Sequence, residues 1–296
     1  MPSAQPQPCI LQPIAPVARS LTFRIHDAER ARDALEGLAA EFPVSCGIVG
    51  VGEPCALALG AHIPGLKTFP ALSGAGCVVP STQDALWMRL SGPDRGVVFD
   101  TARAMRKLLA GAFSVSDTLD TFTYHGGRDL TRFEDGTENP HDDDAVAAAV
   151  VPGSALAGSS FVAVQRWVHD LGRFESLSDA ARDEIIGRRA ESNEEIDDAP
   201  ESAHVKRTAQ ESFEPTAFMV RRSMPWAGVR DEGLEFVAFV ATLDGFERMM
   251  RRMAGLEDGI VDGLFTFSRA VTGGYYWCPP VKGKRVDLTA LLEART

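Results

Sequence analysis

Several things that define whole classes of protein are missing from this chain. It has no apolar run long enough to cross a bilayer, so a transmembrane helix is not expected. Its first residues, Met1-Pro2-Ser3-Ala4-Gln5-Pro6-Gln7-Pro8-Cys9, carry no basic n-region, no apolar h-region and no twin arginine. No secretory signal is read there, and a cytoplasmic location is the expectation. Positive charge is in deficit: 30 Lys and Arg against 41 Asp and Glu give a net charge of −11. That balance argues against nucleic acid and anionic membranes as partners, since phosphate binding needs a basic surface. Cysteines are few, odd in number and scattered (Cys9, Cys46, Cys55, Cys77, Cys278), with no Cys-x-x-Cys pair. The spacing supports neither a disulfide framework nor a structural zinc site. The tracts Asp142-Asp143-Asp144 and Glu194-Glu195-Ile196-Asp197-Asp198 lack a glycine-centred calcium loop and read as solvated loops.

What remains is a chain of 296 residues, 45% hydrophobic, enough for one large domain or two modest ones with a real core. Its hydrophobic period switches repeatedly. Leu21 to His26 alternates like a strand, and Asp27 stands where an N-cap is wanted for a helix over Ala28 to Phe42. Ala31, Leu35, Leu38 and Phe42 share one face of that helix. Strands follow over Ser45 to Gly52 and Leu86 to Leu90, a helix over Arg95 to Phe113, and a strand over Ser114 to Tyr124. The order β-α-β-β-α-β is the split motif of ferredoxin-like domains. The second half repeats it. Strands are expected over Phe161 to Val168, Phe218 to Arg222, Leu234 to Ala241 and Tyr275 to Cys278. Helices are expected over Ser178 to Arg189, with Ser178 as N-cap, and over Gly245 to Met253. The reading is α+β, with domains over 1–142 and 143–296, each a mainly antiparallel sheet covered by helices.

The most informative stretch is Asp129-Leu130-Thr131-Arg132-Phe133-Glu134-Asp135-Gly136-Thr137-Glu138-Asn139-Pro140. Gly136 tolerates positive φ and Pro140 fixes its own, so Asp135 is held rather than loose. A fixed carboxylate suits proton transfer; taken alone, the same loop also reads as a plain Asp-Gly turn. Later come Ser202-Ala203-His204-Val205-Lys206-Arg207 and Val220-Arg221-Arg222-Ser223-Met224-Pro225. His204 lies in a polar connection from Ala190 to Pro215, long enough to suggest function.

In this order, the three segments resemble the dye-decolourising peroxidases, a family of haem enzymes, and most closely the compact bacterial branch. The likeness extends to Ser160-Phe161-Val162-Ala163-Val164-Gln165-Arg166-Trp167-Val168-His169-Asp170 and to Ala270-Val271-Thr272-Gly273-Gly274. It implies two ferredoxin-like repeats facing one another and one haem b per chain. It further implies His204 as the axial iron ligand, Asp135 and Arg221 as the distal acid-base group and charge stabiliser, and Ser223 as holder of a distal water. Arg207 would pair with a haem propionate, while Asn139 and Thr137 would contact the haem edge. Asp262 would hold the far nitrogen of the ligand imidazole; its alternative is a cap for the turn that follows. The remaining histidines read as cap, surface or loop residues (His26, His169, His125, His141) or as a packed core residue (His62). Arg222 should point away from Arg221 as a surface or interface charge. The family's loop motif is Gly-x-x-Asp-Gly, and Arg132 stands here at its first position. Cys278, before a proline, is read as a buried strand residue rather than a thiolate ligand.

The implied activity is reduction of hydrogen peroxide coupled to one-electron oxidation of small phenolic, dye-like or porphyrin-type donors. Trp167, Trp226, Tyr276 and Trp277 are relay candidates whose simpler role is core packing. A homo-oligomer is expected, and an encapsulating shell is left open because Leu291 to Thr296 shows no docking tag. Two rivals stand beside the peroxidase: a haem carrier or haem-processing protein, and a haem-free α+β binding module.

Overall fold

A computed structural model describes residues 3–153 and 155–293; the last three residues of the carboxyl-terminal segment lie outside them. The first half runs β1 (Val17–Ile25), α1 (Ala28–Glu41), β2 (Gly47–Val51), α2 (Glu53–Ala58), β3 (Leu72–Gly74), β4 (Cys77–Val79), β5 (Leu86–Gly92), α3 (Arg95–Leu109) and β6 (Phe113–Phe122). The second runs α4 (Asp142–Ala149), β7 (Ser160–His169), α5 (Leu171–Glu175), α6 (Asp179–Ile186), α7 (His204–Arg207), β8 (Val220–Arg221), β9 (Met224–Ala227), β10 (Glu232–Val240), α8 (Asp244–Met253), β11 (Ser268–Ala270) and β12 (Gly274–Cys278).

One antiparallel sheet carries both halves, in the order β6-β1-β5-β2-β12-β7-β10-β8. Numbering the four main strands within each half gives the order 4-1-3-2 twice, the ferredoxin-like arrangement, so the fold is α+β as the periodicity implied. The halves meet at a narrow seam, where Trp277 of β12 faces Val51 of β2. Helix starts follow the expected chemistry: Asp27 accepts from the Glu29 and Arg30 amides at 3.1 Å each, and Ser178 accepts from Ala181 at 3.2 Å. Helix α6 stops earlier than its hydrophobic pattern suggests, because Gly187 takes a left-handed φ of 89° and turns the chain towards the long connection.

Three expectations need correction. Asp142-Asp143-Asp144 is not a loop but the exposed first turn of α4, where carboxylates favourably face the helix N-terminus. His62 is exposed rather than packed in the core. His169 is neither a cap nor a surface residue; it is buried. Trp167, Trp226, Tyr276 and Trp277 are all buried, in keeping with core packing. Cys278 is buried in an apolar cluster with Trp87, Val162 and Tyr276, and burial pushes its thiol strongly upward. Among the described residues, no helix is long and apolar enough to cross a membrane.

Candidate haem site

A cavity partly open to solvent lies between the Asp135 loop, one face of β7 and β10, and helices α7 and α8. His204, Asp135 and Arg221 all line it, though 69 residues separate the first two in sequence and β8 supplies the third. Its remaining walls are mostly apolar, with Phe236, Phe246, Met249, Met250 and Met253 prominent.

His204 begins α7 and is about a quarter exposed, towards this cavity. Its Nδ1 lies 2.8 Å from Oδ2 of Asp262, a carboxylate with no solvent exposure. The other carboxylate oxygen of Asp262 accepts the Leu264 amide at 2.8 Å and caps the turn Gly263–Thr266. The two sequence alternatives for Asp262 are therefore both realised, one by each oxygen. With Nδ1 committed, the imidazole is oriented and its Nε2 is left for a ligand.

Next to Asp135, Gly136 adopts φ 81°, and a Cβ at that position would sit 2.7 Å from Nδ2 of Asn139. Only glycine lets the loop fold this tightly. No side chain among the described residues hydrogen-bonds the Asp135 carboxylate. Burial pushes its pKa up; Arg221 draws it down only in part, and Asp129 adds to the rise. Arg221 has no carboxylate partner within ion-pair distance, and its buried Nε has no hydrogen-bond partner among the described residues.

Asn139 does not line this cavity. Its side-chain amide accepts from the Arg221 N–H at 2.7 Å and donates to the Arg221 carbonyl at 3.1 Å, binding the loop to β8. Thr137 also lies outside the lining, its hydroxyl accepting from Asn193 at 2.9 Å. Ser223 is buried outside the lining, where its hydroxyl makes a long 3.4 Å contact with the Val237 amide. Arg207 departs furthest from expectation. Its guanidinium forms a bidentate pair with Asp258 at 2.7 and 2.8 Å and donates to the Arg252 carbonyl at 2.8 Å. A buried guanidinium is held by such a fork, and this one does not reach the cavity.

Arg132 is exposed and has φ 73°, the left-handed region in which glycine is at ease. The structure thus keeps the backbone shape of a glycine position with an arginine in it. The sequence reading missed His169 and Asp129. His169 Nδ1 meets Ser268 Oγ at 2.7 Å and Nε2 meets Asp129 Oδ1 at 3.3 Å, with both His169 and Asp129 on the cavity wall. Burial raises the Asp129 carboxyl, but hydrogen bonds from His169 and Thr131 outweigh it and leave the pKa low. A signal existed: Gln165, Trp167 and His169 alternate along β7, and all three line the cavity.

The residues fit a haem: an oriented imidazole, mostly apolar surroundings for a flat macrocycle, and a half-buried guanidinium whose Nε has no partner among the described residues. The comparisons agree. A family model described as the C-terminal part of Dyp-type peroxidases matches residues 126–283. A dye-decolorizing peroxidase of Mycolicibacterium paratuberculosis is 30% identical over 95% of this chain and 85% of its own length. A solved dye-decolorizing protein of Vibrio cholerae is 30% identical, with TM-score 0.84 over 94% of this chain and 97% of that one. A variant of DypB from Rhodococcus jostii, solved in complex with heme, is 26% identical with TM-score 0.85, covering 91% and 94%. With a cavity built in this way and relatives matched along nearly its whole length, the chain belongs to the dye-decolourising peroxidase family.

Proposed function

We propose that this protein is a haem peroxidase that reduces hydrogen peroxide and oxidises small phenolic, dye-like or porphyrin-type donors one electron at a time. The observation that carries this reading is the pairing of an oriented His204 with an Asp135 and an Arg221 that line the same cavity with no ion pair and no side-chain hydrogen bond between them and any described residue. The cofactor is haem b, one per chain, with His204 as the iron ligand. Bound there, haem supplies the electrons that reduce peroxide and recovers them singly from donors.

The chain's own contribution is proton control and charge stabilisation. Asp135 takes the proton from one peroxide oxygen and returns it to the other, which leaves as water. Its raised pKa suits both halves of that transfer, because a strongly acidic carboxylate would hold the proton too weakly. Arg221 stays protonated and stabilises the negative charge that grows on the oxygens. Asp262 fixes the tautomer and orientation of His204. Asn139 acts at one remove, by holding the Arg221 backbone. The working assembly is a homo-oligomer in the cytoplasm.

A haem carrier would need His204 but not a carboxylate and a guanidinium lining the same cavity outside any ion pair, so that alternative is less well supported. Rapid mixing of the haem-loaded ferric protein with peroxide tests the reading. The expected result is a fast, near-stoichiometric shift of the Soret band that slows greatly in Arg221→Ala and changes its pH dependence in Asp135→Asn. Variants that react like the parent would overturn the assignment.

A further inference from the structure

Arg221 lines the haem cavity; its neighbour Arg222 lines a different one. This second cavity, about 310 Å³, is bounded by the segment from Cys9 to Pro16, the approach to β2, the end of β5 and the β8–β9 connection. Two guanidiniums belong to its walls, those of Arg89 and Arg222, and no aspartate or glutamate does. Arg89 is almost fully buried at 3% exposure, and Arg222 is half-buried.

Both arginines are bonded only to neutral acceptors. Arg89 donates to the Arg222 carbonyl, and Arg222 donates to the carbonyls of Arg221 at 3.1 Å and Leu11 at 3.0 Å. Nη2 of Arg89 and Nε of Arg222 have no hydrogen-bond partner among the described residues. Neither guanidinium forms an ion pair, whereas Arg19, Arg188 and Arg207 each do. Desolvating an uncompensated charge costs several kcal/mol per ion, and buried charges in proteins are ordinarily paired.

No nearby acid closes an ion pair with either guanidinium among the described residues. Glu235 is the acid felt by Arg89, but it lies beyond ion-pair distance, and burial pushes its carboxyl up towards the neutral form. Cys9 is the thiol on this wall; burial first, then Cys46, pushes it up to about 11, so it remains a neutral thiol near pH 7. The two arginines also feel each other. Burial, then the charge of Arg89, lowers the pKa of Arg222. Gln12, Ser45 and Ser91 add neutral hydrogen-bonding groups to the walls.

We propose that this cavity binds a small oxyanion, of the phosphate or short-chain carboxylate type, held by Arg222 above the buried charge of Arg89. Guanidinium groups are matched in geometry to such anions, and the volume admits one with several waters. The site is separate from the haem cavity, and the inference does not rest on the peroxidase reading.

The test uses the full-length, haem-loaded protein. Thermal unfolding is followed against inorganic phosphate and against succinate, with chloride at matched ionic strength as control; phosphate binding is also read by 31P line broadening. The expected result is a saturable rise in Tm for phosphate or succinate that chloride does not reproduce. Arg222→Gln should weaken the apparent affinity at least roughly tenfold, with Arg222→Lys in between because it keeps the charge but loses the fork. Arg89→Met should abolish the anion effect without lowering Tm in chloride, since it removes a buried, unpaired charge. Absence of any saturable effect beyond chloride overturns the proposal, as does equal binding by the parent and Arg222→Gln. If Arg222→Gln instead shifts sedimentation to smaller species while anions have no effect, the arginines serve a contact between copies and the proposal fails.

Discussion

The two walls of the haem cavity are built on opposite plans. On the His204 side the carboxylates are matched: Asp262 divides its two oxygens between His204 and Leu264, and Asp258 takes two nitrogens of Arg207, whose Nε alone has no partner among the described residues. Across the cavity, Asp135 is held by the Gly136 amide with no side-chain hydrogen bond among the described residues, and Arg221 keeps an unpaired Nε. The first wall is largely finished by pairing its carboxylates within the protein, and the second leaves its carboxylate open. Folding alone would favour satisfying both, because an unpaired buried polar group costs about 1–3 kcal/mol. The cost is borne where charge must appear and disappear during reaction.

The contrast can be broken from either side. The largest effect should come from His204→Ala, which removes the proposed iron ligand; a purified variant that retains the parent's haem content and Soret band would remove His204 from that role. Next, Arg221→Ala should slow the reaction with peroxide by about 10²–10³-fold, the size of a lost electrostatic stabiliser. Stopped-flow mixing across pH sharpens this comparison through Asp135. Its pKa is raised, so the carboxylate base is lost as pH falls through a value above the ordinary carboxylate range. The peroxide step should therefore slow on that acidic side, and Asp135→Asn should be slow throughout and lack this limb. Asp262→Asn disturbs the finished wall and should weaken haem retention by about 10–100-fold, measured by transfer to an apo-globin acceptor. The smallest effect is on stability. Arg132→Gly relieves a left-handed backbone at an exposed position and should change unfolding free energy by no more than about 1 kcal/mol in the stabilising direction, read from chemical denaturation.

Much of this was legible in the chain, for reasons that differ between elements. The main strands and helices α1, α3 and α8 announced themselves by period, because each buries one face. Asp27 and Ser178 were recognisable as caps because their function is local. Asp135, His204 and Arg221 came from the family resemblance rather than from periodicity, and the fold brings all three to one cavity. The fate of Arg207 was not legible: its partner Asp258 lies 51 residues away, and no local rule links them. His169 was misread because its role depends on Asp129 and Ser268, one before β7 and one 99 residues after it. Asp142 to Asp144 were misjudged because carboxylate runs suit both exposed loops and helix starts. Ser223 falls in the break between β8 and β9 and is not among the residues that line the cavity, so strand parity did not locate its hydroxyl.

The grip of Asn139 on Arg221 has a consequence for how the reacting groups are kept together. One carboxamide holds both the amide and the carbonyl of a single strand residue, from a loop only four positions beyond Asp135. The proposed proton carrier and the proposed charge stabiliser are thereby coupled through a short mechanical linkage, although 86 residues separate them in the chain. Drift of the loop pulls the arginine's backbone with it, so the spacing between the two groups is conserved even when their absolute positions are not.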